Sequence, residues 1–407
     1  MKLKTFFKEL SPEEKKSIIL FLVSYFIVLL NYALMRSVTT SLFLDGFGAK
    51  SSPYAWLYSI VFLTISVFVS NKLQENKSAQ EVFAWVSGVS GVIFGVSFLG
   101  FFQGFKIFSF ASFIWKEVYI VMQVHLLLAY SNSFLSREHF KMLLGPVGAI
   151  GSLGGVLGGV ATAVVAKKLG NEVASFLAVV LVLVPGLIFY FTPHLKLKPK
   201  EEHVSPLKSL DKKEIRTYVL LTCSLVMLAQ FIINIADFKF NLLVESSISS
   251  GDERTSYLGL VQTWTNSITF LFHSLVVPWS VLYFREKTLQ FFIPLSYLTL
   301  FAVSSLFGLK IGLWEISAFF IYLKACDYSL FNAYKELLYQ PLSITQKYGA
   351  KYLTDMIAYR LGKAMIALIL IYVHSERLLD IMVLAFIAVW MMAITVIFRL
   401  KTKTFPA

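Results

Sequence analysis

Residues 192–216 read TPHLKLKPKEEHVSPLKSLDKKEIR, the one long polar stretch of the chain, and they fall at the midpoint of its 407 residues. On both sides the sequence is built of apolar runs of about 20 residues, the length an α-helix needs to cross a bilayer core. Six such runs precede the polar stretch, centred on residues 17–35, 54–70, 82–101, 108–128, 143–165 and 173–191. Six follow it, centred on 218–243, 257–282, 289–307, 311–330, 353–372 and 378–398. The pattern predicts an all-α membrane protein of 12 transmembrane helices. An N-terminal six-helix half (1–192) and a C-terminal six-helix half (217–407) flank a basic linker, 193–216.

Composition leads to the same class. Hydrophobic residues make up 57% of the chain and charged residues 15%, with a mean hydropathy of +0.70. A soluble domain carries roughly 25% charged residues, so a soluble enzyme, a disordered chain and a secreted disulfide scaffold are excluded. Cys223 and Cys326 both lie in apolar runs and match no metal-ligand spacing, so they read as buried thiols. The formal charge of +13 comes mostly from short loops, which in a membrane protein reports orientation and not a nucleic-acid partner. Lys2, Lys4, Lys8, Lys15 and Lys16 fall on the same side as the linker lysines, Arg285, Lys287, Arg399, Lys401 and Lys403. Fewer cations, including Lys50, Lys106, Lys310 and Arg377, fall on the other, where Lys167-Lys168 is the dissenting pair. Both termini and the linker are therefore expected in the cytoplasm, in a multi-pass protein of a bacterial inner membrane. Ser11-Pro12-Glu13-Glu14 reads as a capping box with proline in the first helical turn. No small-residue cleavage site follows, so the first run reads as an uncleaved anchor.

The halves carry a faint internal likeness. Leu153-Gly154-Gly155 in the fifth run parallels Leu361-Gly362-Lys363 in the eleventh, about 208 residues later. Two six-helix halves related by a parallel repeat describe the major facilitator fold. The glycine series from Gly145 to Gly159 reads as a close helix-packing face. A phosphate-cradling loop is disfavoured there, because no strand precedes it.

Ionisable side chains at bilayer depth are expensive and usually functional. Here they gather on a subset of runs: Arg36 on the first, Lys116-Glu117 and His125 on the fourth, Asp237 and Lys239 on the seventh. The tenth carries Glu315, Lys324, Asp327, Lys335 and Glu336, and the eleventh Asp355, Arg360 and Lys363. Lys116, Lys239, Lys335 and Glu336 have an alternative as interfacial, snorkelling groups. Glu117, Asp237 and Lys363 sit deeper and favour a polar cavity, or a gating ion pair. No nucleotide-hydrolysing Gly-rich motif and no cluster of catalytic carboxylates or histidines occurs, so neither an enzyme nor a cofactor is expected.

The stretch DYSLFNAYKELLYQPL at residues 327–342 resembles the nucleotide transporter family typified by plastid and intracellular-parasite ATP/ADP translocases. Lys351, Asp355 and Arg360-Leu361-Gly362-Lys363 continue the likeness at the family's spacing. Trp115-Lys116-Glu117 and Ile233-Asn234-Ile235-Ala236-Asp237 extend it more weakly. The resemblance implies a transporter of the major facilitator kind in which Glu117 and Lys363 serve nucleotide transport and Asp237 replaces a glutamate. It also marks a departure. Where the family has arginine, two residues and then lysine-aspartate, this chain has Arg36, Ser37, Val38, Thr39 and Thr40.

These readings converge on a monomeric secondary transporter in contact with membrane lipids, moving a nucleotide or related small organic anion by alternating access. Arg36, Glu117, Asp237, Tyr328, Lys335, Tyr339, Arg360 and Lys363 are the expected substrate-binding residues. Lys116, Asp327, Glu336 and Asp355 are expected to gate or couple. With Thr39 in place of lysine, a less charged nucleotide, a nucleoside or another organic anion gains weight over a triphosphate. A transporter of an unrelated drug, lipid or metabolite, or a non-transporting scaffold, is the alternative.

Overall fold

The computed structural model describes residues 10–135, 137–193, 210, 212–306 and 312–405. Most of the expected linker, with Lys208, lies outside the described residues, as do Lys2, Lys4, Lys8 and Lys310. No strand occurs among the described residues.

The first helix, α1 (Pro12–Phe47), starts as its sequence dictates. The Ser11 hydroxyl accepts from the Glu14 N–H, and the Glu14 carboxylate accepts from the Ser11 N–H at 2.8 Å. Then come α2 (Ser52–Leu73), α3 (Ala79–Phe102), α4 (Ile107–Phe134) and α5 (Arg137–Tyr190). Helix α5 carries the fifth and sixth expected runs, joined at a bend where Gly170 takes φ 83°, a conformation open to glycine at little cost. Helix α6 (Lys213–Ser247) is followed by α7 (Gly251–Leu271), which passes through a π-turn, Phe272–Val276, into α8 (Val277–Tyr283). Beyond α9 (Glu286–Leu306), α10 (Leu313–Cys326) meets a second π-turn, Asp327–Phe331, and continues as α11 (Asn332–Leu338). Helix α12 (Ile344–Lys351) meets a third, Tyr352–Ala358, and continues as α13 (Tyr359–Tyr372); α14 (Glu376–Thr404) ends the fold.

Seven stretches among the described residues are long and apolar enough to cross a membrane: Pro12–Phe47, Ala49–Leu73, Ala79–Phe102, Ile107–Phe134, Gly145–Tyr190, Lys213–Ser247 and Glu376–Thr404. The expected runs at 257–282, 311–330 and 353–372 are helical but divided by the π-turns. Large apolar side chains stand outward along the helices, with Phe68 at 69% exposed, Phe176 at 71% and Leu282 at 80%. Apolar exposure on that scale suits a lipid surround. Several buried hydroxyls are satisfied within their own helices: Ser37 donates to Ala33 O, Thr162 to Gly158 O and Thr222 to Tyr218 O.

The chain divides into two compact units. One gathers Met1–Ala49, Tyr58–Pro199 and Glu245–Phe270; the other gathers Lys50–Leu57, Lys200–Val244 and Leu271–Ala407. In the first, the later glycines of α5, from Gly151 to Gly159, permit the close packing their spacing predicts, whereas a Cβ at Gly145 or Gly148 would meet nothing within 4 Å. A Cβ at Gly154 would lie 2.5 Å from Phe26 O of α1. On the neighbouring face, a Cβ at Gly159 would lie 2.7 Å from Gly259 O of α7. Only hydrogen fits at either place. In the second unit, Gly362 lets α13 approach α6, since a Cβ there would meet the Met227 Cα at 3.1 Å. Cys223 and Cys326 are buried and unbridged, as expected.

Candidate functional site

In the first unit, α4 places a lysine where lipid cannot solvate it. Lys116 is 3% exposed. Its ammonium lies 3.3 Å from the Phe113 ring centroid, donates to Thr40 Oγ1 at 3.1 Å and stands 4.0 Å from Glu117 Oε1. The aromatic face, one hydroxyl and a distant carboxylate replace its hydration. The Trp115 indole donates to Ser90 Oγ at 3.1 Å, fixing α4 against α3. Arg36 is half-buried on α1 one helical turn before Thr40, hence on the same face. Lys116 is thus buried among protein groups.

Thr39 does not face an open path. It is fully buried, and its hydroxyl donates to Met35 O at 2.7 Å. Thr40, the other departure, is the informative one. It meets Lys116 where the resemblance implies an aspartate. Thr40→Asp should therefore replace the neutral acceptor of the Lys116 ammonium with a charged one, turning an ion–hydroxyl bond into an ion pair, and raise stability by about 1 kcal/mol. Thermal unfolding in detergent checks this, and the gain should vanish in a Thr40→Asp/Lys116→Met background.

In the second unit, α11, α12 and the third π-turn bring several expected residues together. Lys335 Nζ lies 2.6 Å from Asp355 Oδ1 and 3.3 Å from Asn332 Oδ1, with the lysine side chain 10% exposed. Tyr339 is buried, its hydroxyl 2.5 Å from Thr354 Oγ1. Glu336 Oε2 pairs with Lys351 Nζ at 2.6 Å, and that ammonium sits 5.7 Å from the Tyr339 ring. Asp327 is buried in the second π-turn, within electrostatic reach of Lys324 and Lys335. Lys324 approaches the Tyr328 ring at 5.9 Å. π-Turns concentrate at functional sites because they re-aim side chains and release backbone groups. Here two of them carry Asp327, Tyr328 and Asp355.

The other expected residues are placed separately within this unit. Asp237 accepts from Asn241 Nδ2 at 3.4 Å. Arg360 Nη2 contacts Met356 Sδ at 3.9 Å. Lys363 stands 5.8 Å from the buried Trp56 ring. Lys239 is ion-paired with Asp380 at 2.5 Å. The pair borders a cavity of about 220 Å³ lined also by Ile235, Phe319, Tyr322 and Val383. Trp56, Asn332, Thr354 and Asp380 escaped the sequence reading. Tryptophan at a membrane edge and a lone carboxylate at a helix start are too common to single out without a partner.

Residues 269–401 match the family model described as TLC ATP/ADP transporter. This stretch contains the second and third π-turns and the Lys335–Asp355 pair. Among curated proteins, no sequence matches. The fold is shared with solved membrane transporters. A point mutant of the nucleoside transporter NupG matches with a TM-score of 0.67 at 12% identity, covering 94% of this chain and all of that one. The POT family transporter PepTSo matches with a TM-score of 0.67 at 11% identity, covering 95% and 98%. A bacterial homologue of the iron transporter ferroportin, in its inward-facing state, matches with a TM-score of 0.65 at 12% identity, covering 99% and 100%. At such identities the likeness is one of fold. The family match and the shared fold together support a membrane transporter.

Proposed function

We propose that this chain is a secondary transporter that moves a nucleotide or related organic anion by alternating access of two six-helix halves, 1–192 and 217–407, joined by a cytoplasmic linker. In this reading 12 helices cross a bacterial inner membrane, both termini are cytoplasmic, and the protein acts as a monomer exchanging one anion for another. The observation that carries it is the Lys335–Asp355 pair, inside the region that matches the ATP/ADP transporter model. A buried lysine held by a single carboxylate is an exchangeable anion site, because an incoming phosphate can replace the carboxylate without leaving the charge bare.

The remaining roles follow from residue chemistry. Arg36, Arg360 and Lys363 supply further cations, and Tyr328 and Tyr339 offer rings to a base. Glu117 and Asp237 hold cations in place when the solute is absent. Lys116, Asp327, Glu336 and Asp355 gate or couple by changing ion partners. Near the end of α1, Arg36 is not followed by the lysine that the resemblance implies at position 39, and the smaller number of cations favours a solute less charged than a triphosphate. A likeness in fold to a nucleoside transporter and to an inward-facing transporter supports the same reading.

Thermal shift of the purified protein tests it. A ligand at 100 times its Kd stabilises by ~2.7 kcal/mol. ADP, AMP or a nucleoside should raise the melting temperature, ATP less so. If only sugar phosphates or solutes with neither base nor phosphate do so, the nucleotide assignment fails.

A further inference from the structure

The first unit holds a polar assembly that the proposed solute path does not use. It sits where α1 ends, 34 residues after the capping serine (Ser11 to Asp45). There Asp45 forms an ion pair with Arg254, from the first turn of α7, whose side chain is only 5% exposed. The rest of the guanidinium is spent on backbone: Nη2 donates to Ile248 O at 2.8 Å, Nε to the same oxygen at 3.2 Å, and Nη1 to Ser41 O at 3.4 Å. Ser41 Oγ donates in turn to Gly251 O at 2.8 Å. Two more carboxylates bind backbone N–H groups of other elements. Glu245, near the end of α6, accepts from Ala49 N at 2.7 Å, and Asp252 accepts from Asn171 N, at the α5 bend, at 2.8 Å. The ends of α1 and α6, the bend of α5 and the start of α7 are thereby tied at one level.

Below this knot α7 lies antiparallel on α5 along a seam of small residues. Ser256 Oγ donates to Ala163 O at 2.8 Å. Gly259 meets Gly159, and a Cβ at Gly259 would stand 2.8 Å from Ala163 N. The seam has little side-chain interdigitation to hold it. Backbones that touch through glycine separate without unthreading side chains, whereas the knot is made of charge-assisted bonds that are kept or lost together. Just beyond this segment the π-turn Phe272–Val276 interrupts the regular helix, and helices kink at such turns.

We infer that Asp45, Arg254 and the carboxylates Glu245 and Asp252 form a latch that holds α7 closed on α1 and α5, and that its release lets α7 leave the glycine seam to open this end of the solute path. The inference rests on the alternating-access reading proposed above but not on the identity of the solute.

A buried thiol reports it directly. Thr255 is fully buried and its hydroxyl has no hydrogen-bond partner, so Thr255→Cys costs little. It is placed in a Cys223→Ala/Cys326→Ala background and reconstituted in vesicles without any solute. Labelling by a membrane-impermeant maleimide should be slow. Arg254→Gln should accelerate it by about tenfold or more, because one side of a two-state equilibrium loses a buried charge pair. Asp45→Asn should act in the same direction, and Asp45→Arg/Arg254→Asp should slow labelling again. Gly159→Ala, which wedges the seam, should also speed labelling. Gly158→Ala, which presses on Leu30 of α1, should lower the melting temperature with labelling unchanged. Unaltered labelling in folded Arg254→Gln and Asp45→Asn proteins would overturn the latch. Because no solute is present, a failure of nucleotide binding leaves this test intact, and a failure here leaves the nucleotide reading intact.

Discussion

Asp355→Ala lowers stability by about 2–3 kcal/mol, because it takes the paired carboxylate from the Lys335 ammonium and leaves it Asn332 and the more distant Asp327. The value lies below that of a wholly buried pair because the Asp355 side chain is 40% exposed and water recovers part of the loss. The informative companion is Lys335→Met/Asp355→Leu. Replacing both members with apolar groups removes the desolvation cost along with the attraction, so this variant should melt close to the parent protein. It should nonetheless fail to bind an anion, since the exchangeable cation is gone. Melting curves and equilibrium binding on the same preparations separate the two effects. A double variant that is stable and still binds would reduce Lys335–Asp355 to a structural pair.

Lys363→Ala weakens anion binding by roughly tenfold to a hundredfold, the ~1.5–3 kcal/mol attached to a charge-assisted hydrogen bond. Lys212→Ala, in a polar connection, changes affinity little. Trp56→Leu falls between them. It removes the ring face 5.8 Å from the Lys363 ammonium, worth about 1 kcal/mol, but leaves the charge in place. Radioligand binding to the three purified variants gives the ranking. Equal losses for Lys363→Ala and Lys212→Ala would assign both lysines to bulk electrostatics.

Much of the architecture is legible from local rules. The capping box at Ser11 forms as written, and the α5 glycines meet the α1 and α7 backbones they have room for. The likeness at 327–342 falls within the region that the family model matches. What escapes the sequence is pairing at a distance and helix facing. Asp45 and Arg254 are 209 residues apart, and no spacing rule connects them. Lys335 and Asp355 are 20 apart, but across a turn and a π-turn whose extra residue per turn breaks the 3.6-residue bookkeeping. Thr39 shows why facing is hard to read. Helices surrounded by lipid are apolar on the protein side and the lipid side alike, so no amphipathic stripe reports which residue faces a cavity. Thr39 therefore reads as a site position and folds as a packing one, while its neighbour Thr40 holds the lysine.

In the proposed function a nucleotide or nucleotide-like anion crosses the membrane through a path whose cations include Lys363 and Lys335. Uptake into proteoliposomes tests it most directly, with radiolabelled ADP, AMP, nucleoside and a sugar phosphate offered to vesicles preloaded with the same unlabelled solute or left empty. Uptake of a nucleotide or nucleoside should be saturable, faster into preloaded vesicles, lost in Lys363→Ala and retained in Lys212→Ala. Uptake confined to the sugar phosphate, or indifferent to Lys363→Ala, would contradict it.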